Sequence, residues 1–423
     1  MPALKIEGGT PLNGRLKVQG SKNSALPILA AAVLSRGGCG IRNCPRLSDV
    51  ESAGKILDYL GCRTQRDGDV VFVDAAGFDR VDIPDRLMRE MRSSVIFLGA
   101  ILGRAGEAVM SYPGGCELGP RPIDLHLSAL RAMGVDIREE GGMIICAAAK
   151  LKGANISLAF PSVGATENIM LAATAAEGTT RIQNAAAEPE IVDLQNFLSA
   201  CGAKIRGAGT NMIEIEGAGR LHACDHNVIP DRIVTVTYLC AAAAAGGDVL
   251  LEGADPSHLD SVLSVLTEAG LCLEICDGGI RATKAARLAR VGPVRTMPYP
   301  GFPTDAQAPL MAAMATARGC TVFVENIFDN RYRHVGELVR MGADIRVEGR
   351  VAVVNGIGML SGAPVDSTDL RGGAALVVAA LSAEGETRLR GIGHIDRGYE
   401  SIETALSGLG SKIGRFEEYS ETT

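Results

Sequence analysis

Apolar positions along the chain follow two alternating patterns. The first is the one-sided spacing of a surface helix, as in Ile191, Leu194, Phe197, Leu198 and Cys201, closed by a glycine and succeeded by strand-like runs. This closure recurs at Leu60-Gly61, Met133-Gly134, Cys201-Gly202, Ala269-Gly270, Met341-Gly342 and Leu409-Gly410. Successive glycines stand 73, 68, 68, 72 and 68 residues apart, so one unit is repeated six times. Each glycine is expected to cap its helix, where a left-handed backbone excludes most other residues. The runs after the glycine read as a hairpin: Val135-Asp136-Ile137-Arg138, a turn at Glu140-Gly141-Gly142, then Met143-Ile144-Ile145-Cys146.

The second pattern is apolar on every side and rich in alanine, which predicts a buried helix. It appears once per unit, at 24–34, 93–102, 165–176, 233–245, 306–317 and 373–383. A unit holding both a buried helix and the sheet to cover it forms closed domains rather than a solenoid. The expected fold is therefore α/β (α+β), a two-domain inside-out α/β barrel of six repeated βα units. Three buried helices per domain are covered by sheets and amphipathic helices. The expected division is 21–230 for the first domain and 1–20 with 231–423 for the second, with the active site in the cleft between them. The first strand-like run, Ala3 to Glu7, has no hairpin partner before it and is expected to close the second domain.

Composition narrows the function. Of 423 residues 47% are hydrophobic and 22% charged, with 42 Lys+Arg against 49 Asp+Glu for a net charge of −7, which excludes a disordered chain and argues against nucleic-acid binding. No apolar run reaches the roughly 18 to 20 residues of a membrane span. The first residues lack a basic stretch leading into an apolar core, so a cytoplasmic location is expected. With 52 glycines and no tryptophan, the cores are expected to be built from small and aliphatic side chains in close contact. Eleven cysteines without a Cys-x-x-Cys pair read mostly as small buried residues. His222-Ala-Cys224-Asp225-His226 has the alternate spacing of a zinc strand, but the chain has no second ligand cluster beyond it, and a polar loop is the plainer reading.

Chemistry gathers where the buried helices begin. Ser21-Lys22-Asn23, Arg89 to Arg92, Ser162-Val163-Gly164, Asp231-Arg232, Thr304-Asp305 and Thr368-Asp369-Leu370-Arg371 are polar and repeatedly cationic. Acids and hydroxyls there are ordinary caps. Lys22, Arg92, Arg232 and Arg371 oppose the helix dipole, so an anionic ligand is expected to compensate them. One interval is also irregular. From the glycine after the buried helix to the capping glycine the chain runs 23 to 25 residues in five units, but 28 from Gly106 to Gly134. The excess lies in Tyr112-Pro-Gly-Gly-Cys116-Glu-Leu-Gly-Pro-Arg121-Pro, a loop with the composition of a lid. Arg121 there could favour the Cys116 thiolate, the alternative being an incidental exposed thiol.

These residues resemble the enolpyruvyl transferases. The resemblance runs from Leu4 to about Ile413 and rests on Gly20-Ser-Lys22-Asn23-Ser-Ala-Leu-Pro27, Pro113-Gly-Gly-Cys116, Gly119-Pro-Arg121-Pro-Ile-Asp124-Leu-His126 and Ser162-Val-Gly-Ala-Thr166. Further matches are Glu188-Pro-Glu190, Phe302-Pro-Thr-Asp305, Asn330-Arg331, Asp369-Leu-Arg371 and His394-Ile-Asp-Arg397-Gly-Tyr-Glu400. It implies transfer of the enolpyruvyl group of phosphoenolpyruvate to the 3-hydroxyl of UDP-N-acetylglucosamine by addition and elimination. Lys22, Arg121 and Arg397 match positions that hold phosphoenolpyruvate, with Arg371 near its carboxylate and Asn23 beside both substrates. Arg92, Arg121, Pro122, Ile123, Asp124, Leu125, Val163, Gly164, Asp305 and Ile327 match nucleotide-sugar contacts, and Asp369 belongs to the same binding set. Cys116 matches a lid cysteine that would act as the acid, and Asp305 the base. Lys22 and Arg397 complete the expected catalytic set. No cofactor and no metal is implied, because arginines neutralise the phosphate, and the number of subunits stays open.

Where that family often carries a lysine before Ser162, this chain has Phe160-Pro161, which implies one diphosphate contact fewer. A tryptophan common after the Arg92 region is replaced by Val95, Ile96 and Phe97. Two other readings remain: the sister transferase acting on shikimate 3-phosphate, which lacks the Pro-Gly-Gly-Cys lid, and a repeat-built binding protein without catalysis.

Overall fold

In the computed structural model, which describes residues 2–114 and 123–417, the six repeats share one plan. A short strand leads into the core helix. A second strand, an amphipathic helix and a hairpin complete the repeat. In the third repeat these are strand Asn155–Ser157, helix Val163–Ala173, strand Thr179–Gln183, helix Pro189–Ala200 and strands Lys204–Arg206 and Met212–Glu216. The first two strands pair in parallel, Ile156 opposite Ile182, because the core helix supplies the crossover that parallel pairing requires. The second strand pairs antiparallel with Met212–Glu216, whose other edge takes Lys204–Arg206. All six four-stranded sheets have this order. Residues alternate between exposed and buried along Thr179–Gln183, so one face of the sheet lies on the helices.

The core helices are Lys22–Ala31, Phe97–Ala105, Val163–Ala173, Arg232–Ala245, Thr304–Met314 and Leu370–Ser382. Small residues let them touch backbone to backbone. A Cβ on Gly99 would lie 2.3 Å from the Asn168 carbonyl oxygen, and the Gly99 N–H donates to Asn168 Oδ1 at 2.6 Å. Each of the six closing glycines adopts a left-handed backbone, with φ from +87° at Gly134 to +100° at Gly202.

Among the described residues the chain forms two compact units, 20–114 with 123–229, and 2–19 with 230–417. Each has its own apolar core, around Ile28, Leu98 and Met170 in one and Leu239, Met311 and Leu376 in the other. Three sheets are completed by strands distant in sequence. Asp225–Asn227 lies parallel to Gly38–Arg42, with Asp225 opposite Gly40. Pro2–Glu7 sits between Glu386–Arg390 and Lys412–Glu417, and Leu12–Lys17 runs parallel to Gly247–Glu252. No described helix is long and apolar enough to cross a membrane.

Candidate active site

In the unit 20–229, Lys22 and Asn23 open their core helix without a side-chain cap. Lys22 Nζ donates to Asp49 Oδ2 at 3.2 Å, and both residues are buried. Part of the compensation for Lys22 is therefore an internal acid, which the sequence did not reveal. Arg92 begins a short 3-10 turn, Arg92–Ile96, that runs into Phe97–Ala105. Val163 and Gly164 open the third core helix, and Ser162 Oγ accepts the Ala165 N–H at 3.3 Å. Ile123 precedes helix Asp124–Ala132, whose first turn carries Asp124 and Leu125.

Two of these helix starts are brought together. A Cβ on Gly164 would stand 3.1 Å from the His126 ring, so glycine permits a close approach. Asn168 Nδ2 lies 2.7 Å from His126 Nδ1 and donates to the Val95 carbonyl at 3.0 Å. With Asn168 Oδ1 occupied by the Gly99 N–H, the amide donates to the ring, which carries its proton on Nε2. Burial, and then the charge of Arg92, push His126 down to about 4, so it is neutral near pH 7. Nearby, Glu167 is raised well above the ordinary carboxyl range by burial and by Glu190 and Glu188.

In the other unit, Asp305 sits in the first turn of Thr304–Met314 but does not cap it. Its Oδ1 accepts from Arg331 Nη2 at 2.8 Å, and its Oδ2 from Arg371 Nε at 3.2 Å and Nη2 at 3.1 Å. Arg331 is also tied to the Thr304 carbonyl at 3.1 Å. Two guanidiniums therefore fix the plane of one carboxylate. Arg371 Nη1 donates to the Tyr399 hydroxyl at 3.1 Å, and that hydroxyl lies 2.8 Å from Thr237 Oγ1. Asp369 is the cap of its helix: Oδ1 accepts the N–H groups of Arg371 and Gly372, each at 3.0 Å. Ile327 is placed by Glu325, whose Oε1 accepts the Ile327 N–H at 2.9 Å while Thr304 Oγ1 donates to the same carboxylate at 3.1 Å. Arg397 ends the 3-10 turn Ile392–Arg397, two residues before Tyr399. Arg232 faces the Tyr299 ring at 5.6 Å, and Asp231 caps that helix through the N–H groups of Ile233 and Val234.

Cys116, Arg121 and Pro122 lie outside the described residues. The cysteine and histidine run near residue 224 does not gather as a metal centre: His226 Nε2 meets Asp193 Oδ1 at 2.8 Å, Asp225 pairs with Arg42 at 2.7 Å and His222 Nδ1 lies 3.1 Å from the Ala223 carbonyl. Phe160 is exposed. Sequence reasoning assigned no role to Asp49, Arg331, Tyr399 or Glu325. Two motifs signalled members of this group: Asn330-Arg331, whose arginine stands 26 residues after an acid-bearing helix start, and His394-Ile-Asp-Arg397-Gly-Tyr-Glu400, which holds Tyr399.

The family described as EPSP synthase (3-phosphoshikimate 1-carboxyvinyltransferase) matches residues 6–406. UDP-N-acetylglucosamine 1-carboxyvinyltransferase 2 of Caldanaerobacter subterraneus is 51% identical over 98% of this chain and 100% of its own. The UDP-N-acetylglucosamine 1-carboxyvinyltransferase of Nitratidesulfovibrio vulgaris is 49% identical over 99% of this chain and 100% of its own. The solved enolpyruvyl transferase NikO of Streptomyces tendae has a TM-score of 0.89 at 28% identity, covering 98% of each chain. EPSP synthase of Acinetobacter baumannii, at TM-score 0.73 and 20% identity over 99% of this chain and 100% of its own, shares the fold. With near-complete coverage by sequence and by structure, this chain belongs to the EPSP synthase family of enolpyruvyl transferases.

Proposed function

We propose that the chain transfers the enolpyruvyl group of phosphoenolpyruvate to the 3-hydroxyl of UDP-N-acetylglucosamine and releases phosphate, the first committed step of peptidoglycan precursor synthesis in the cytoplasm. One observation carries the reading: a carboxylate, Asp305, is clamped by Arg331 and Arg371 at a helix start, in a chain about half identical to transferases of that name. An alcohol adds to the enol carbon of phosphoenolpyruvate when its own proton is removed and the CH₂ terminus is protonated. Asp305 takes the hydroxyl proton, for which its Oδ1 keeps a lone pair beside the Arg331 contact. Cys116 gives the other proton. The tetrahedral adduct then expels phosphate as a methyl proton is lost, which restores the double bond.

Lys22, Arg121 and Arg397 hold the phosphate and carboxylate by charge-assisted bonds, which suits a substrate with several negative charges. Arg371 orients Asp305 and offers its charge to the substrate carboxylate. Arg92, Asp124, Leu125, Val163 and Gly164, with Asp305 and Ile327 from the other unit, contact the nucleotide sugar. Asp369 supports Arg371 as the helix cap. In this reading water is kept from the intermediate while the substrates are bound.

The test is phosphate release from phosphoenolpyruvate with either acceptor. Turnover with UDP-N-acetylglucosamine and none with shikimate 3-phosphate is expected. The reverse preference would assign the sister reaction, and release with neither would leave a binding protein.

A further inference from the structure

Three cysteines of the unit 20–229, none of them given a role in the transfer, meet on neighbouring elements. Cys201 is the C-cap of helix Pro189–Ala200, and Cys224 immediately precedes strand Asp225–Asn227. Their sulfurs are 3.2 Å apart. Cys39, on the neighbouring strand Gly38–Arg42, shares a hydrogen bond with Cys201 and lies 3.4 Å from Ser35 Oγ.

The approach of Cys224 to Cys201 is imposed by packing on both sides. The His222 N–H donates to the Cys201 carbonyl at 3.0 Å, and the Cys224 thiol reaches toward the Phe197 carbonyl at 3.8 Å. One residue further on, Asp225 is held by the Gly40 N–H at 3.2 Å and by Arg42. His226 is then fixed to Asp193 of the same helix, and Asp193 in turn accepts from Ser24. A disulfide would bring the sulfurs to the bonded distance of about 2.05 Å.

We propose that Cys201 and Cys224 form a reversible disulfide, a redox modification site on this unit. Access sets the order of events, since Cys39 and Cys201 are fully enclosed whereas Cys224 is half-buried. A peroxide is the oxidant. The Cys224 sulfur attacks one peroxide oxygen, the O–O bond breaks, and the products are a sulfenic acid and one water. Cys201 sulfur then attacks the Cys224 sulfur; the S–S bond forms as the S–O bond breaks, and a second water leaves with the thiol proton. Two thiols and one hydrogen peroxide thus give one disulfide and two waters. A small thiol reverses the step by exchange. Hydrogen bonding with Cys201 pulls Cys39 down and raises Cys201, and burial raises Cys224, so the order of oxidation follows access rather than acidity.

The test uses the full chain carrying Cys116→Ser, Cys272→Ser, Cys276→Ser and Cys320→Ser, which removes the lid thiol and the accessible thiols of the other unit from the count, treated with hydrogen peroxide and mapped by mass spectrometry without reduction. Free thiols are expected to fall by two, with a cross-linked peptide joining 201 to 224, and dithiothreitol should restore both. Cys224→Ser, checked by circular dichroism for an intact fold, should form no cross-link and keep Cys39 and Cys201 reduced. A link between Cys39 and Cys201, or Cys224 accumulating as sulfinic acid without a link, overturns the proposal. An unchanged thiol count at peroxide levels that oxidise free cysteine overturns it equally.

Discussion

The first turns of helices Lys22–Ala31 and Thr304–Met314 hold the same place in their repeats, and both helices carry a proline six residues in, Pro27 and Pro309. Their charges are opposite. One begins with a buried cation that pairs with an acid, Lys22 with Asp49; the other carries an acid that pairs with two arginines, Asp305 with Arg331 and Arg371. The repeat fixes where a helix N-terminus stands, and substitution there decides what it does. An acid suits the helix dipole. A lysine opposes the dipole, and its acid partner offsets part of that cost.

The largest expected effect is at Asp305. Asp305→Ala strands two buried guanidiniums, which costs about 3–5 kcal/mol, so a lower melting midpoint in that variant says nothing about catalysis. Asp305→Asn keeps an acceptor for one arginine but cannot take a proton. Its turnover should fall about 10²- to 10⁴-fold while both substrates still bind. Steady-state kinetics with a parallel binding titration checks this, and turnover within about tenfold of the parent would remove Asp305 as the base.

The reason such pairs were hidden in the sequence is tertiary. Apolar periodicity and the closing glycines made the six repeats and their core helices legible, because those signals are local. The short leading strands were not: Asp82–Ile83 and Val294–Arg295 have two residues each, too few to show an alternation. Lys22 and Asp49 are 27 residues apart, with a strand and a loop between them, so the helix dipole alone suggested an outside anion. Asp305 looked like a possible cap, yet Pro303 holds the N-cap position and the side chain turns to Arg331 and Arg371. The first-turn residues were readable one by one; their partners were set by the fold.

A second contrast between the units concerns acid. His126 in one and His334 in the other are each pushed to about 4 by burial. A histidine depressed in the folded state contributes stability that is complete above its unfolded value of about 6.5 and is lost as pH falls toward 4. In the unit 20–229 this loss is opposed by Glu167, whose raised carboxyl already holds its proton when the unfolded chain does not. As pH falls below about 6.5 Glu167 works against the loss from His126 there, whereas no described carboxyl of the other unit is raised to work against the loss from His334. That unit should lose stability relative to its neighbour over this range. Hydrogen exchange at pH 7 and pH 5, corrected for intrinsic rates, should show protection falling faster in 230–417 than in 20–229. A parallel fall in both would refute the asymmetry.

Breaking the other charged pair should cost somewhat less. Asp49→Asn leaves Lys22 a neutral acceptor in a buried position, for a loss of about 2 kcal/mol in the unliganded chain. If Lys22 binds the phosphate of the substrate, inorganic phosphate should raise the melting midpoint of Asp49→Asn more than that of the parent. An equal rise in the two proteins would mean that Lys22 faces its acid alone.

The smallest effect is expected at Tyr399, which sharpens the picture of the arginine side of the second site. Its hydroxyl accepts from Arg371 and pairs with Thr237, and all three residues are buried. Tyr399→Phe removes one of the contacts that orient Arg371 but leaves those to Asp305, so the guanidinium loosens without losing its counter-charge. The expected result is about a fivefold rise in KM for phosphoenolpyruvate, equivalent to about 1 kcal/mol, with kcat changed by less than about twofold. Thr237→Val is the control, since it takes away the bond to the tyrosine while Arg371 keeps its own. That variant should melt earlier yet keep the parent KM. If the two variants change KM alike, Tyr399 only supports the core, and Arg371 is oriented by Asp305 without it.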